Sequence, residues 1–172
     1  KAMHMVSAYS TTTGLVLTCM DVKDKSNEIP TVPEVLQQLN LEDAVVTMDA
    51  MGCQTSTAQI IVDGGGDYLL ALKLNQEGTY KEVKALFDEV VGQERAFDDV
   101  KITIHRTTER THGREMTREY FLATNIAGFK SEAKWPAFHG AIKVHSKRTE
   151  NGVTTQDDRY YITSLRAGVR TA

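Results

Sequence analysis

The sequence predicts one α/β domain, with a mixed α/β first half and a mostly antiparallel β second half. Three observations predict it. Short apolar runs alternate with helix-period stripes up to residue 92. Long β-rich runs replace that pattern after residue 100. Turn residues of hairpin type separate those later runs. With 172 residues and 41% hydrophobic content, the chain can build one sizeable core.

Residues 3–10 and 15–22 are β-rich and joined by a Thr-rich stretch ending in Gly14, which reads as a hairpin. Residues 24–30 are polar and loop-like. Thr31-Val32-Pro33-Glu34 has capping-box spacing, and Val35, Leu36 and Leu39 follow as an apolar stripe, so a helix is predicted to start there. Residues 44–48 are apolar without alternation and end in Asp49, which predicts a strand buried on both faces. A second helix is predicted over residues 55–63, with Ala58, Ile61 and Val62 on one face and Gly64-Gly65-Gly66 to stop it. Residues 68–72 read as the next buried strand. Residues 81–91 read as a third helix, with Val83, Leu86, Phe87 and Val90 on one face and Gly92 just past its end. Residues 100–108 and 115–124 are long strands around His112-Gly113. Residues 141–149 and 154–165 are two more, joined by Asn151-Gly152, the strongest short hairpin signal.

A hairpin followed by parallel βαβ crossovers is the ribonuclease-H-like order, less its first strand. Other α/β folds share this fragment of order.

The chain opens on Lys1 without an initiator Met, which suggests a piece of a longer reading frame. No apolar run approaches a membrane span, and the first residues do not read as a signal peptide, so no membrane partner is expected. Cys19 and Cys53 lie far apart and outside any Cys-x-x-Cys pattern. A zinc site is unsupported, a reduced cytoplasmic compartment is the simple expectation, and both thiols are expected to be buried. Net charge is −3, but residues 1–100 carry 7 Lys+Arg against 16 Asp+Glu, a net −9. Residues 101–172 carry 13 against 7, a net +6. The split fits a polyanion partner for the basic half, or two complementary halves that pack on each other.

Asp49 is the leading candidate for chemistry. It lies at the carboxyl end of a predicted central strand, where open α/β sheets place their ligands, and small or polar residues follow it as far as Gln54. The bland alternative is a cap on the next helix. Two divalent ions for phosphoryl transfer need several carboxylates. Asp21, Asp24, Glu28 and Asp67 are the other acids available, and none makes a convincing triad. Asp67, at a strand start, should face away from the strand ends. Lys73, Asn75 and Gln76 follow the next strand at the same sheet edge, and suit phosphate contacts or a plain polar loop. Arg106, Arg110, His112, Arg114 and Arg118 cluster around a hairpin, with Arg114 and Arg118 on one face. A basic ribbon can lie along a DNA backbone; charged edges also block aggregation. Gly64-Gly65-Gly66-Asp67 fits no nucleotide-binding motif and reads as a helix stop. His105, His139 and His145 lack ligand spacing, and Ser7 and Ser10 lack an elbow motif.

Six blocks then carry a family resemblance. They are His4-Met5-Val6-Ser7-Ala8-Tyr9, Lys25-Ser26-Asn27-Glu28-Ile29-Pro30, and Thr47-Met48-Asp49-Ala50-Met51-Gly52-Cys53-Gln54. The others are residues 66–73 with Asn75-Gln76, His112-Gly113-Arg114, and residues 159–165. In this order and spacing they resemble the H-repeat-associated transposases of bacterial insertion sequences, over nearly the whole chain. The resemblance implies a ribonuclease-H-like core over residues 1–92. A β-rich insertion and return strand over residues 93–172 would belong to the same structural domain. It implies a DDE enzyme in which two aspartates and a glutamate bind Mg²⁺ or Mn²⁺ for attack on DNA phosphodiesters. Asp49 matches the second aspartate. The first aspartate would precede residue 1 and the glutamate would follow residue 172. The expectation is therefore a catalytic-domain fragment that is inactive alone, with Asp49 as its metal-ligand candidate and Mg²⁺ or Mn²⁺ as the cofactor of the full-length enzyme. Lys73, Asn75, Gln76, His112, Arg114, Arg118 and Arg159 are expected to meet DNA. The alternative is a non-catalytic DNA-binding remnant of a mobile element. The resemblance also implies a gap between the strand of residues 3–10 and that of residues 44–48, which exposes sheet edges and makes a homodimer through them plausible.

Overall fold

The computed structural model describes residues 4–22, 28–92, 100–111, 113–126 and 128–166. Strands β1 (Met5–Ser10) and β2 (Leu15–Asp21) form an antiparallel hairpin that is a sheet of its own. Helix α1 (Thr31–Leu36) packs on that hairpin. Then come β3 (Val45–Met48), α2 (Thr55–Asp63), β4 (Asp67–Leu72) and α3 (Glu77–Gly92). Four long strands complete the chain: β5 (Lys101–Thr111), β6 (Arg114–Thr124), β7 (Gly140–Glu150) and β8 (Val153–Thr163). The main sheet has the order β3-β4-β8-β7-β6-β5. β3 and β4 run parallel, and every other pair is antiparallel. The sheet is mixed, as the element order predicts.

The β3–β4 pair is parallel because α2 supplies the crossover that parallel strands require. Gly64 follows α2 as its C-cap, so the glycine run acts as the expected stop. At the β7–β8 turn Asn151 and Gly152 both take positive φ, 51° and 76°, the conformation that a tight two-residue hairpin needs. The core lies on one face of the sheet. Tyr68, Leu70 and Leu72 of β4 and Ile162 of β8 meet Ala58 and Ile61 of α2 and Val83, Leu86 and Phe87 of α3. Each such large side chain contributes about 1.5–3 kcal/mol on burial. The segment between β6 and β7 is pinned onto α3. Trp135 Nε1 and Ser131 Oγ both bond Thr79 Oγ1, at 2.9 and 3.1 Å, and the Glu82 carboxylate accepts from the Lys130 and Ser131 amides.

Several expectations are corrected. β3 is not buried on both faces: it is an edge strand with Val45 44% exposed, because β4 is its one strand neighbour among the described residues. Thr31 is not a capping residue. Pro30 holds the N-cap position with no side-chain bond, and Thr31 is buried inside the first turn. Cys53 is buried as expected, but Cys19 is exposed, since no layer among the described residues packs over that face of β2. α3 begins at Glu77, and residues 74–76 form a 3-10 turn leading into it rather than a loose loop.

One feature bears directly on the site. A cleft of about 780 Å³ separates the hairpin from the main sheet. Val6 and Ala8 of β1, Val32, Val35 and Leu36 of α1, and Val46 and Met48 of β3 line it. Neither β1 nor β3 has a strand partner on its second edge among the described residues.

Candidate functional site

Asp49 stands at the carboxyl end of β3, on the wall of that cleft, and its side chain is exposed. It does not cap α2: Gln54 is the N-cap there, with no side-chain bond. Instead Asp49 Oδ1 accepts the backbone N–H groups of Met51 (3.1 Å) and Gly52 (3.3 Å), which folds residues 49–52 into a tight turn. Its second oxygen has no partner among the described residues. Gly52 is required by packing, because a Cβ there would sit 2.7 Å from Met48 Sδ and 2.9 Å from Met48 Cβ. Beyond the turn, burial pushes the Cys53 thiol up to about 12, partly offset by Lys134.

The β3–β4 register pairs Val45 with Asp67 and Met48 with Leu70. Asp49 and Lys73 therefore share the sheet's carboxyl edge, and Asp67 lies at the opposite edge, where it accepts a bond from Ser164 Oγ. Asp67 faces away from Asp49, as expected. Asp24 lies outside the described residues. Among the described residues no three His, Cys, Asp or Glu side chains come close enough to hold a metal ion. One carboxylate does not fit the needs of a two-ion site.

The polar residues after β4 divide. Lys73 is exposed and makes no hydrogen bond or ion pair among the described residues. Asn75 and Gln76 are engaged with the Asp49 loop: Asn75 Nδ2 donates to Ala50 O (2.6 Å) and Gln76 Nε2 to Cys53 O (2.9 Å).

The long strands form an antiparallel sheet whose outer part is open to solvent on both sides. Register places Arg114 and Arg118 of β6 and Arg159 of β8 on one face. Arg148 of β7 joins them, a residue the sequence reading missed. Arg106 and Arg110 fall on the opposite face. His112 lies outside the described residues. Leu72 pairs with Tyr160, so Lys73 and Arg159 end up beside each other at the Asp49 edge. Most of these cations are neutralised. Arg118 pairs with Glu109 (3.1 Å), Arg159 with Asp157 (2.8 Å) and Arg148 with Glu150; on the other face Arg106 pairs with Glu119 and Arg110 with Glu115. Arg114 has no such partner among the described residues. Nearer the core, burial opposes ionisation of Asp158, yet hydrogen bonds from His145 and Lys143 hold its pKa below the usual carboxylate range.

A family model described as a transposase DDE domain matches residues 1–164. The chain belongs to the DDE transposases. Relatives of this DDE transposase chain include the putative transposase YncI of Escherichia coli O157:H7, 35% identical over 95% of this chain and 42% of its own length. The H repeat-associated putative transposase YhhI of Escherichia coli K12 is 32% identical over 95% of the chain and 43% of its own length. An uncharacterised protein of Xanthobacter autotrophicus is 33% identical over 95% of the chain and 54% of its own length. The chain thus spans about half the length of the curated relatives it matches. No solved structure matches this DDE transposase chain. No helix among the described residues is long and apolar enough to cross a membrane.

Proposed function

We propose that residues 1–172 form part of the catalytic domain of a DDE transposase whose full-length form cuts and joins DNA in the cytoplasm. Asp49 supplies one carboxylate of a divalent-metal site that the longer protein completes, and the 1–172 piece is inactive alone. The placement of Asp49 carries this reading. It stands at the carboxyl end of a parallel strand, at a cleft, with one carboxylate oxygen unpartnered among the described residues and a tight turn beneath it. Open α/β sheets bind their ligands at such an edge. DNA approaches this edge along the arginine face. Lys73 and Arg159 lie nearest to Asp49, and Arg148, Arg118 and Arg114 lead outward. Lys73 and Arg114, with no acidic partner among the described residues, make the strongest phosphate contacts; the paired arginines exchange a carboxylate for a phosphate. His112, which lies between β5 and β6 in the sequence, is assigned to the same set.

Incubating residues 1–172 with labelled duplex DNA and Mg²⁺ or Mn²⁺ tests both halves. The expected result is binding that weakens with salt, without strand cleavage or joining. Replacing Arg114 by Ala should lower the salt slope by about one. Strand transfer by this piece would overturn its proposed inactivity, and salt-independent binding or none would overturn the arginine face.

The cleft supports a partner as well. Two strand edges that are unpaired among the described residues and face one apolar gap suit an added strand, and we propose a second copy of this chain as its source at high concentration. Light scattering should show a dimer. A monomer throughout the concentration range would contradict it.

A further inference from the structure

We infer that Asn75 and Gln76 are positioning residues that hold the Asp49 turn by its main-chain carbonyls, and that Lys134 fixes their orientation from the β-rich half of the chain. The inference rests on Asp49 being the functional carboxylate, as proposed above.

The turn after β3 is bonded mainly to itself. Asp49 Oδ1 accepts from Met51 and Gly52, Ala50 O accepts from the Cys53 amide, and Gly52 O accepts from the Gln54 amide. These bonds set the shape of the turn but not its place relative to the sheet. The side chains after β4 set that place. Asn75 Nδ2 reaches Ala50 O at 2.6 Å, next to Asp49, and Gln76 Nε2 reaches Cys53 O at 2.9 Å and Gln54 Oε1 at 3.2 Å. The two carbonyls lie on either side of the Met51-Gly52 turn, so the pair grips it at both ends.

The orientation of the Gln76 amide is itself determined. Lys134 Nζ donates to Gln76 Oε1 at 2.7 Å. An ammonium offers only donors, so the amide oxygen must face Lys134 and its NH₂ group must face the loop. Lys134 is anchored in turn, because the adjacent Trp135 is buried and bonded to Thr79. A connected path therefore runs from the segment between β6 and β7, through Lys134 and Gln76, to the turn that carries Asp49. Both Gln76 N–H groups are consumed by it, which leaves none for a phosphate.

Asn75→Asp and Gln76→Glu test this, since each keeps the shape and removes the donor. Lys134→Met tests the third link. Amide hydrogen exchange and ¹H–¹⁵N shifts of Met51 and Gly52 are read in the full 1–172 chain, with the Leu70 amide in β4 as reference. Asn75→Asp and Gln76→Glu should speed exchange at Met51 and Gly52 by about five- to tenfold, the factor one net hydrogen bond is worth. Lys134→Met should give a smaller change of the same kind, and Leu70 should not move. Unchanged exchange and shifts at Met51 and Gly52 would overturn the inference, as would an equal rise at Leu70, which marks general destabilisation. These readings need no DNA or metal. Cleavage and joining that survive Asp49→Asn in the family-length protein would therefore overturn the functional proposal and leave this result standing.

Discussion

Replacing Gly52 by alanine probes the tightest point of the Asp49 turn. The added Cβ would lie 2.7 Å from Met48 Sδ and 2.9 Å from Met48 Cβ. Both distances fall inside normal contact. The sulfur can swing away, but the Cβ is fixed to the β3 backbone, so the turn must shift. Overpacking of this kind costs about 1–3 kcal/mol, and for a chain of this size about 2 kcal/mol lowers Tm by about 4–8 °C. Gly78→Ala is the control. Nothing lies within 4 Å of a Cβ there, and the site is in the first turn of α3. Alanine at Gly78 should therefore stabilise the chain by about 0.5 kcal/mol through helix propensity and unfolded-state entropy. Thermal unfolding of the two variants, with Met48→Ala added to each, measures both effects. Met48→Ala should recover part of the Gly52→Ala loss and couple with nothing at Gly78. If Gly52→Ala melts at or above the parent temperature, the claim that Met48 crowds this turn is wrong.

Three further outcomes follow from the core. Thr79→Val strips the acceptor from buried Trp135 Nε1 and Ser131 Oγ and should cost about 1–3 kcal/mol, with a shift in Trp135 fluorescence; urea unfolding checks it. A thiol reagent at neutral pH should label exposed Cys19 quickly and buried Cys53 only on unfolding; mass spectrometry with and without urea reads the difference. Alkali should destabilise the fold. Burial raises Cys53 from 9.0 to about 12, and burial with the nearby Asp158 charge raises Tyr160 from 10.0 to about 12. The unfolded chain loses these protons first, so the stability is full below pH 9 and is lost between about 9 and 12. The slope is at most about 1.4 kcal/mol per pH unit for each group. Cys53→Ala should move the onset up to about pH 10, seen in urea midpoints at successive pH values.

The sequence carried local information well and neighbour information poorly. Thr55–Asp63 was legible to the residue because its apolar period and glycine stop are both local. The Asn151-Gly152 turn named its own hairpin for the same reason. β3 misled because a run without alternation signals apolar side chains, not which strands flank them. Thr31 misled because capping-box spacing does not say which residue begins the turn. At the candidate site, the position of Asp49 at a strand end was legible. Its bonds to Met51 and Gly52, rather than to α2, were not. Asn75 and Gln76 were found as polar residues near the edge, but their partners lie over twenty residues away in sequence. Arg148 was missed although a signal existed. The Asn151-Gly152 turn pairs Glu150 with Val153, and counting back from it puts Arg148 and Arg159 on one face. The acids that neutralise most of the arginines became visible only once three strands were in register.

The most direct test of the central claim is DNA strand cleavage and joining, with Mg²⁺ or Mn²⁺, by a family-length protein that contains residues 1–172, compared with its Asp49→Asn variant. Asp49→Asn should fall to background for both steps while folding and salt-dependent DNA binding persist. Cleavage and joining retained at the parent rate would contradict it.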